Sequence, residues 1–201
     1  NNCGSCRVGD FGAGTGALSL RIAESLPHVQ VHATELNEGF YDRMLDKTRH
    51  LSNFDARLGD VEEMQFEPDT LDAACMIHVL NLTPHAKEGK AVKMIAEQLK
   101  PGGVFVIADI GRVIDIKKHG LEMFKSAYKA MGPIGLLEFY LSSREAMKLN
   151  RDFAKFQKSG DYPFHILSDF TAMIESFGFD ILEARDDLYL GADDYVVARK
   201  N

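Results

Sequence analysis

Val8-Gly9-Asp10-Phe11-Gly12-Ala13-Gly14-Thr15-Gly16 is the stretch that decides the fold class of this 201-residue chain. A β-rich run, residues 7–11, leads into its glycines, and a helical run, residues 16–26, follows them. A glycine-rich turn between a strand and a helix lies at the carboxyl edge of a parallel sheet, where open α/β folds bind ligands. Glycine allows a tight turn and lets a ligand approach the backbone without an intervening Cβ. The stretch therefore predicts a binding loop for a nucleotide-type ligand, which we call the glycine loop (residues 12–16).

The residues that follow this loop alternate between short β-rich runs and helical runs. The pattern predicts further strands at residues 29–35, 56–58, 71–79 and 104–110, with helices at residues 39–51 and 87–99. Such alternation is typical of a doubly wound, mostly parallel sheet with crossover helices. The run 71–79 is nearly continuously apolar, which indicates a central strand covered on both faces. We expect an α/β fold, with residues 1–201 forming a single domain.

The last third of the chain departs from this alternation in two ways. Residues 181–190 and 195–199 read as strands joined by the short link 191–194, and strands so closely connected must be antiparallel. A C-terminal hairpin is therefore predicted. Between the strand ending at residue 110 and a helix at residues 170–177, residues 113–166 have helical character and are too long for a plain connection. We interpret residues 113–166 as an inserted helical segment, the lid.

Composition and charge exclude several classes of protein. Hydrophobic residues make up 45% and charged residues 26%, as in ordinary globular proteins, and no apolar stretch approaches the roughly 20 residues that a membrane span needs. The net charge of −7 argues against a nucleic-acid-binding surface. Three cysteines without a disulfide framework favour a cytoplasmic location. Cys3-Gly4-Ser5-Cys6 lacks the further ligands that zinc requires, so we expect no metal site.

Three carboxylates lie where a nucleotide-type ligand would need them. Asp10 precedes the first loop glycine by two residues, where it can hold the loop and face an ammonium group. Glu35 closes the second strand, where its oxygens can accept hydrogen bonds from both ribose hydroxyls. Asp60 ends the third strand and can accept from an adenine amino group, with Val61 packed on the ring. Because residues 12–17 also match the dinucleotide pattern G-x-G-x-x-G/A, a nicotinamide cofactor stays open at this point.

With these residues the chain resembles the class I methyltransferases that use S-adenosylmethionine (SAM). The matching pieces are Asp10-x-Gly12-x-Gly14-x-Gly16, Glu35, Gly59-Asp60, the Lys100-Pro101-Gly102-Gly103 stop, residues 78–84 and the terminal hairpin. The resemblance covers roughly residues 6–112 and 167–200. It implies a Rossmann-like fold, SAM as cofactor and S-adenosylhomocysteine as product. The residues it assigns to the cofactor are Asp10, Gly12, Ala13, Gly14, Gly16, Glu35, Leu36, Asp60, Val61, Ile77 and His78.

The resemblance implies methyl transfer to a small-molecule acceptor by in-line displacement. A general base is needed only when the acceptor carries a proton with a high pKa. His78 and His165 are the candidates for that base, with cofactor-wall and loop-packing roles as their alternatives. In the lid, Leu121, Phe124, Tyr128 and Met131 indicate an apolar wall, and basic residues share one helix face: Arg144, Lys148, Arg151, Lys155 and Lys158.

Three other functions compete with this hypothesis. A non-catalytic SAM-binding module would keep the same cofactor residues. A nicotinamide-dependent oxidoreductase would share the glycine loop and Glu35, but the chain has no Tyr-x-x-x-Lys pair and no other clear hydride-transfer site. A protein or nucleic-acid methyltransferase stays open, although the Asn/Asp-Pro-Pro-Tyr/Phe sequence of base-methylating enzymes is absent after residues 71–79. The acceptor atom and the oligomeric state are left open.

Overall fold

In a computed structural model of the protein, the described residues are 6–60, 66–83, 85–159 and 164–201. Val61 and Cys3 lie outside them. Seven strands are present in this part of the chain: β1 (Cys6–Phe11), β2 (Val29–Glu35), β3 (Phe54–Leu58), β4 (Leu71–Ile77), β5 (Leu99–Ile110), β6 (Phe179–Leu188) and β7 (Asp193–Lys200). The α-helices are α1 (Ala17–Ser25), α2 (Glu38–Thr48), α3 (His85–Gln98), α4 (Ile116–Ser142), α5 (Arg144–Lys158) and α6 (Leu167–Glu175).

The strands form one sheet in the order β3-β2-β1-β4-β5-β7-β6. Strands β1 to β5 pair in parallel, and β7 is antiparallel to both β5 and β6. The prediction of a Rossmann-like, mostly parallel sheet closed by an antiparallel C-terminal hairpin is confirmed. From β1 the chain builds the sheet outward to β2 and β3, and then returns to place β4 on the other side of β1. Open α/β sheets bind ligands at such a reversal.

The core lies along the central strands. Phe11, Met76 and Ile107, on β1, β4 and β5, have no exposed surface, and neither do Ile95 of α3 and Ile174 of α6. Fully burying an apolar side chain of this size stabilises the fold by about 1.5–3 kcal/mol. Strand β4 is central in the sheet, as its near-continuous apolar run predicts, and Leu71, Ala74 and Met76 of this strand lie in the core.

Several boundaries differ from the sequence prediction by one or more residues, and two of these differences have a clear cause in strand pairing. Strand β5 begins at Leu99 rather than at residue 104, because Leu99 already pairs with Leu71 before the register shifts across the Pro101–Gly103 turn. In the hairpin, Asp193 and Asp194 are the first residues of β7, in register with Ile110 and Asp109, and are not part of the link. The connection is instead a short 3-10 turn, Tyr189–Gly191, followed by Ala192. Strand pairing across the sheet overrides the turn-like composition of the two aspartates.

The segment predicted as a lid contains α4 and α5, between β5 and α6. Helix α4 is interrupted at Gly132, whose φ of 69° is left-handed, immediately before Pro133. Proline removes a helical hydrogen bond and glycine tolerates positive φ, so the chain changes direction there. Among the described residues, no helix combines the length and apolarity that crossing a bilayer requires. That the segment acts as a lid stays a prediction.

Candidate active site

A cavity of about 600 Å³ opens at the carboxyl ends of β1, β2, β3 and β4, beside the glycine loop. Its size is that of a small-molecule site. We call it the glycine-loop cavity. Seven of the eleven residues assigned to the cofactor line it: Gly12, Gly14, Glu35, Leu36, Asp60, Ile77 and His78. The sheet edge therefore brings together residues that lie far apart in the sequence.

Glu35 organises the cavity from the end of β2. Its Oε2 accepts a hydrogen bond from the Gly14 N–H at 2.7 Å, and its Oε1 accepts one from the Asn37 N–H at 2.8 Å. The side chain is buried, and its backbone carbonyl also accepts from the Gly59 N–H at 2.9 Å. One residue thus ties the glycine loop, the start of α2 and the end of β3 to the same point. Each carboxylate oxygen retains a second lone pair for a ligand hydroxyl.

Asp10 lies beneath the glycine loop and is not one of the residues lining the cavity. The carboxylate is almost fully buried, and it accepts hydrogen bonds from the Ser19 hydroxyl of α1 and from the Cys75 thiol of β4, the latter at 3.4 Å. Burial raises the pKa of Asp10. The structure thus gives Asp10 contacts that hold the loop to α1 and β4, whereas its facing a ligand's ammonium stays a prediction.

The first two loop glycines face the cavity in left-handed conformations. Gly12 has φ 74°, and a Cβ there would lie 2.4 Å from Cγ2 of Val79. Gly14 has φ 58°, but a Cβ there would meet no atom within 4 Å. Gly12 is therefore required by packing as well as by backbone conformation. At Gly14 the space next to the backbone is open, and its N–H donates a hydrogen bond to Glu35.

The remaining assigned residues take supporting positions. Ala13 donates its N–H to the Thr34 carbonyl at 2.8 Å, and a Cβ on Gly16 would collide with Met44 of α2. Neither lines the cavity, and Val61 lies outside the described residues. The sequence reasoning missed Asn37, Phe40 and Leu82, which do line it. Asn37 could have been found from the sequence, because an asparagine followed by a glutamate at the start of a helix is typical of a helix N-cap. Its side chain caps α2 by accepting a hydrogen bond from the Phe40 N–H.

His78 follows β4 and forms one wall of the cavity. Its Nε2 lies 2.7 Å from Oδ2 of Asp193, the first residue of β7. Asp193 is buried and raises the pKa of His78 by accepting this hydrogen bond. His78 also has φ 57°, which is rare outside glycine and costs of order 1–3 kcal/mol. The bond from its N–H to the Ala108 carbonyl and the bond to Asp193 hold it in this conformation.

Asp109 and Arg112 fix the backbone on either side of the His78–Asp193 pair. Asp109 of β5 accepts hydrogen bonds from the Asn81 N–H at 3.0 Å and the Ile110 N–H at 2.8 Å, which anchors the turn after His78. Arg112 donates to the carbonyls of Asp186 and Gly191 and to the buried carboxylate of Asp194. The hairpin end that carries Asp193 is thereby held against the end of β5.

His165, the second candidate base, lies elsewhere. Its Nε2 is 3.0 Å from a carboxylate oxygen of Glu88 on α3, and its ring stacks on Phe170 of α6 at 6.2 Å between centroids. It does not line the glycine-loop cavity. These contacts join the end of the lid to two helices of the core, and a role of His165 as a general base stays a prediction.

Comparisons with known proteins find similarity to a methyltransferase domain and a shared fold. A family model described as a methyltransferase domain matches residues 8–103. "Sterol 4-C-methyltransferase strm-1" from Caenorhabditis elegans is 28% identical over 141 residues, and the match spans 67% of this chain but only 40% of that protein. Magnesium protoporphyrin IX methyltransferase from Synechocystis PCC 6803, with bound SAM, superposes over 100% of this chain and 72% of its own, with a TM-score of 0.63 and 12% identity.

A further similar structure carries a different description. The [4+2]-cyclase SpnF matches with a TM-score of 0.64 and 16% identity, over 98% of this chain and 76% of its own. At such identities the similarity concerns the fold. Because one fold hosts different reactions, the activity has to be argued from the site.

Proposed function

We propose, from the premise that this chain belongs to the class I SAM-dependent methyltransferases, that it transfers the methyl group of SAM to a small-molecule acceptor. The observation that carries the proposal is the position of Glu35, whose two carboxylate oxygens join the glycine loop to the start of α2 at the floor of the cavity. A carboxylate at the end of the second strand of such a sheet is suited to a ribose.

The residues present fit the adenosyl cofactor. The Thr34 hydroxyl is buried, lines the cavity and forms no hydrogen bond with any described residue. A buried hydroxyl without a partner is costly, and a polar ligand atom relieves that cost. The open space above Gly14 admits a ligand against the backbone. Glu35 would hold the ribose, Asp60 the adenine, and Gly12 to Gly14 with Ile77 and His78 the methionine part.

The chemistry asked of the protein is alignment, exclusion of water and, for some acceptors, removal of a proton. Bound SAM supplies a methyl group on a positively charged sulfur, which an acceptor's electron pair can attack. Val79 and Leu82 line the cavity beside His78 and provide apolar surface that excludes water. Because Nε2 of His78 is engaged by Asp193, its Nδ1 is the nitrogen that can accept a proton from an acceptor. The buried carboxylate stabilises the imidazolium that results.

A small acceptor is favoured by the relative and by the lid. The curated relative is named for a sterol, which is a small apolar molecule. In this chain the lid helices line a second cavity, which is open on one side and has largely apolar walls that include Leu121 and Phe124. These two observations support a small acceptor with an apolar body over a protein or nucleic acid.

The test is a transfer assay with SAM labelled in its methyl group. The purified chain is incubated with lipid and small-metabolite extracts, and separately with protein and with nucleic acid. We expect label in the extractable small-molecule fraction. Label only in protein or nucleic acid contradicts the small-molecule acceptor. SAM binding without transfer to any fraction supports a non-catalytic SAM-binding module instead.

A further inference from the structure

The lid contains a cavity of about 800 Å³ between α4, α5 and the Tyr189–Gly191 turn. Apolar side chains make up most of its wall, among them Ile116, Leu121, Phe124, Met147 and Phe153. Among the described residues that line it, Glu122 is the acidic one, and its carboxylate pairs with Nζ of Lys125 at 2.7 Å. The cavity is therefore suited to an apolar body. We call it the lid cavity.

A second, basic cavity of about 620 Å³ adjoins the lid cavity. The two share Met147 and Arg151 as lining residues. Arg144, Lys148 and Arg151 line the basic cavity, and no acidic side chain is among its lining residues in the described part of the chain. Their spacing along α5, four residues and then three, places all three cations on one helix face.

These three cations differ from Lys155 of α5 in their ion pairing. Among the described residues, none of Arg144, Lys148 and Arg151 forms an ion pair, although Lys155 on the same helix pairs with Asp152 at 3.0 Å. Like charges at this spacing destabilise a helix, and an anion bound between them would offset that repulsion. Arginine side chains also bind phosphate and carboxylate groups through two parallel hydrogen bonds.

The wall of the lid cavity and the wall of the glycine-loop cavity are linked through the hairpin turn that precedes β7. Tyr189 lines the lid cavity and begins the short turn that leads into β7, whose first residue, Asp193, contacts His78 through its carboxylate. His119 of α4 joins the lid to this turn, since its Nε2 lies 2.8 Å from the Tyr189 carbonyl and its ring packs on Tyr189. A molecule seated in the lid cavity therefore lies against the turn that precedes Asp193, the partner of the candidate base.

We propose that the lid cavity and the basic cavity together bind an anionic amphiphile, with its apolar chain against α4 and its phosphate- or carboxylate-type group at Arg144, Lys148 and Arg151. This molecule is the methyl acceptor, so that part of the inference rests on the proposed function. The apolar cavity selects the chain and the adjoining cations select the charge. The substrate class is thereby narrowed from small molecules to anionic, lipid-like ones.

Binding can be measured without methyl transfer, using alkyl compounds below their critical micelle concentrations. Decyl phosphate is titrated calorimetrically against the protein, with octyl phosphate, decyltrimethylammonium and inorganic phosphate as comparisons. We expect decyl phosphate to bind, octyl phosphate to bind about tenfold more weakly because two methylene groups are lost, and decyltrimethylammonium not to bind. Comparable binding of the cationic and anionic compounds overturns the proposal.

Substitutions separate the two cavities. A Cβ on Gly120, which lines the lid cavity, would meet no atom within 4 Å. Gly120→Phe should therefore fill the cavity and abolish decyl phosphate binding, while Gly120→Ala, which favours the helix and adds one methyl group, should retain it. Arg144→Gln and Arg151→Gln should each weaken binding about tenfold. Lys158→Gln, on the same helix but outside both cavities, is the matched control and should leave binding unchanged.

The outcomes distinguish this proposal from the proposed function. Normal SAM binding with no alkyl phosphate binding contradicts the amphiphile proposal alone. Alkyl phosphate binding without SAM binding contradicts the proposed function and leaves the lid site standing. Inorganic phosphate binding as tightly as decyl phosphate shows a phosphate site without a chain site and overturns the proposal. Binding to phosphatidylglycerol vesicles without binding to the monomeric alkyl phosphate also overturns it, since a surface rather than a cavity is then responsible.

Discussion

Nε2 of His78 lies 2.7 Å from Oδ2 of Asp193, although the two residues are 115 positions apart in the chain. Parallel pairing of β4 with β5 and antiparallel pairing of β5 with β7 bring the end of one strand beside the start of the other. Asp193 is buried, so its charge acts on the imidazole through little solvent. The pair gives the wall of the glycine-loop cavity a histidine whose pKa is raised by a fixed partner.

Asp193→Asn should alter the pH dependence of methyl transfer to an acceptor that needs deprotonation. Removing the carboxylate removes the main cause of the raised pKa of His78, so the acid limb of the kcat/KM profile should move to lower pH. The maximal rate should fall, because the amide stabilises the imidazolium less well. Asp187→Asn, an exposed residue of the same hairpin, is the control. An acid limb that stays in place would show that His78 is not the group titrating.

Glu35→Ala should weaken SAM binding more than tenfold. The substitution removes the carboxylate that we assign to the ribose hydroxyls, and hydrogen bonds to a charged group are worth about 1.5–3 kcal/mol each. It also releases the N–H groups of Gly14 and Asn37, so the loop loses its anchor. Calorimetry measures the affinity, and Glu38→Ala, an exposed residue of the first turn of α2, is the comparison. Equal affinities in the two variants would remove Glu35 from the site.

Gly12→Ala should destabilise the protein more than Gly14→Ala. Both positions have positive φ, so an added Cβ costs each about 1–2 kcal/mol of backbone strain. Only at Gly12 would the Cβ also meet Val79, at 2.4 Å. Chemical unfolding should therefore show the larger loss for Gly12→Ala. SAM affinity should fall in Gly14→Ala as well, since its Cβ enters the cavity. A Gly14→Ala variant that is less stable than Gly12→Ala would contradict the packing argument.

Arg112→Gln should lower the free energy of unfolding by about 1–3 kcal/mol, the cost of leaving a buried acceptor without its partner. The acceptor is Asp194, which is 1% exposed and whose pKa burial already raises. A carboxyl with a raised folded-state pKa binds more protons in the folded than in the unfolded state, so its penalty grows as pH rises. Without Arg112 that pKa rises further, and the loss should be larger at pH 8 than at pH 5.

The matched control for this prediction is Arg185→Gln, whose exposed guanidinium pairs with Asp187 on the same hairpin. Its effect should stay within about 0.5 kcal/mol, as is usual for surface substitutions. Urea unfolding at both pH values measures the difference. A loss for Arg112→Gln that is no larger than that of Arg185→Gln would mean that Arg112 does not hold the turn.

Local sequence patterns predict the sheet, the glycine loop and the position of Glu35, because each follows from a strand end or a turn. Strand period, glycine spacing and the apolar run of β4 are properties of neighbouring residues, and they place the carboxyl ends of the strands at one edge. The lid helices are predicted for the same reason. The kink at Gly132 likewise has a local signal in the glycine that precedes Pro133.

The partner of His78 is not predictable in this way. Asp193 follows a glycine and an alanine and precedes another aspartate, a composition typical of a turn, so the sequence predicts that it lies in a link. It is the register of β7 against β5 that makes it the first residue of a strand. His165 is a second example. Its position near the end of the lid in the sequence suggests the active site, but its observed contact with Glu88 depends on how α3 packs. Both outcomes depend on tertiary contacts between distant segments.

The most direct test of the central claim is a calorimetric titration of the unmodified chain with SAM, S-adenosylhomocysteine and NAD. If the glycine loop, Glu35 and Asp60 form an adenosyl-sulfonium site, SAM and S-adenosylhomocysteine bind with one-to-one stoichiometry and NAD does not bind. Saturable NAD binding with no heat from SAM would contradict the account and favour a nicotinamide-dependent enzyme.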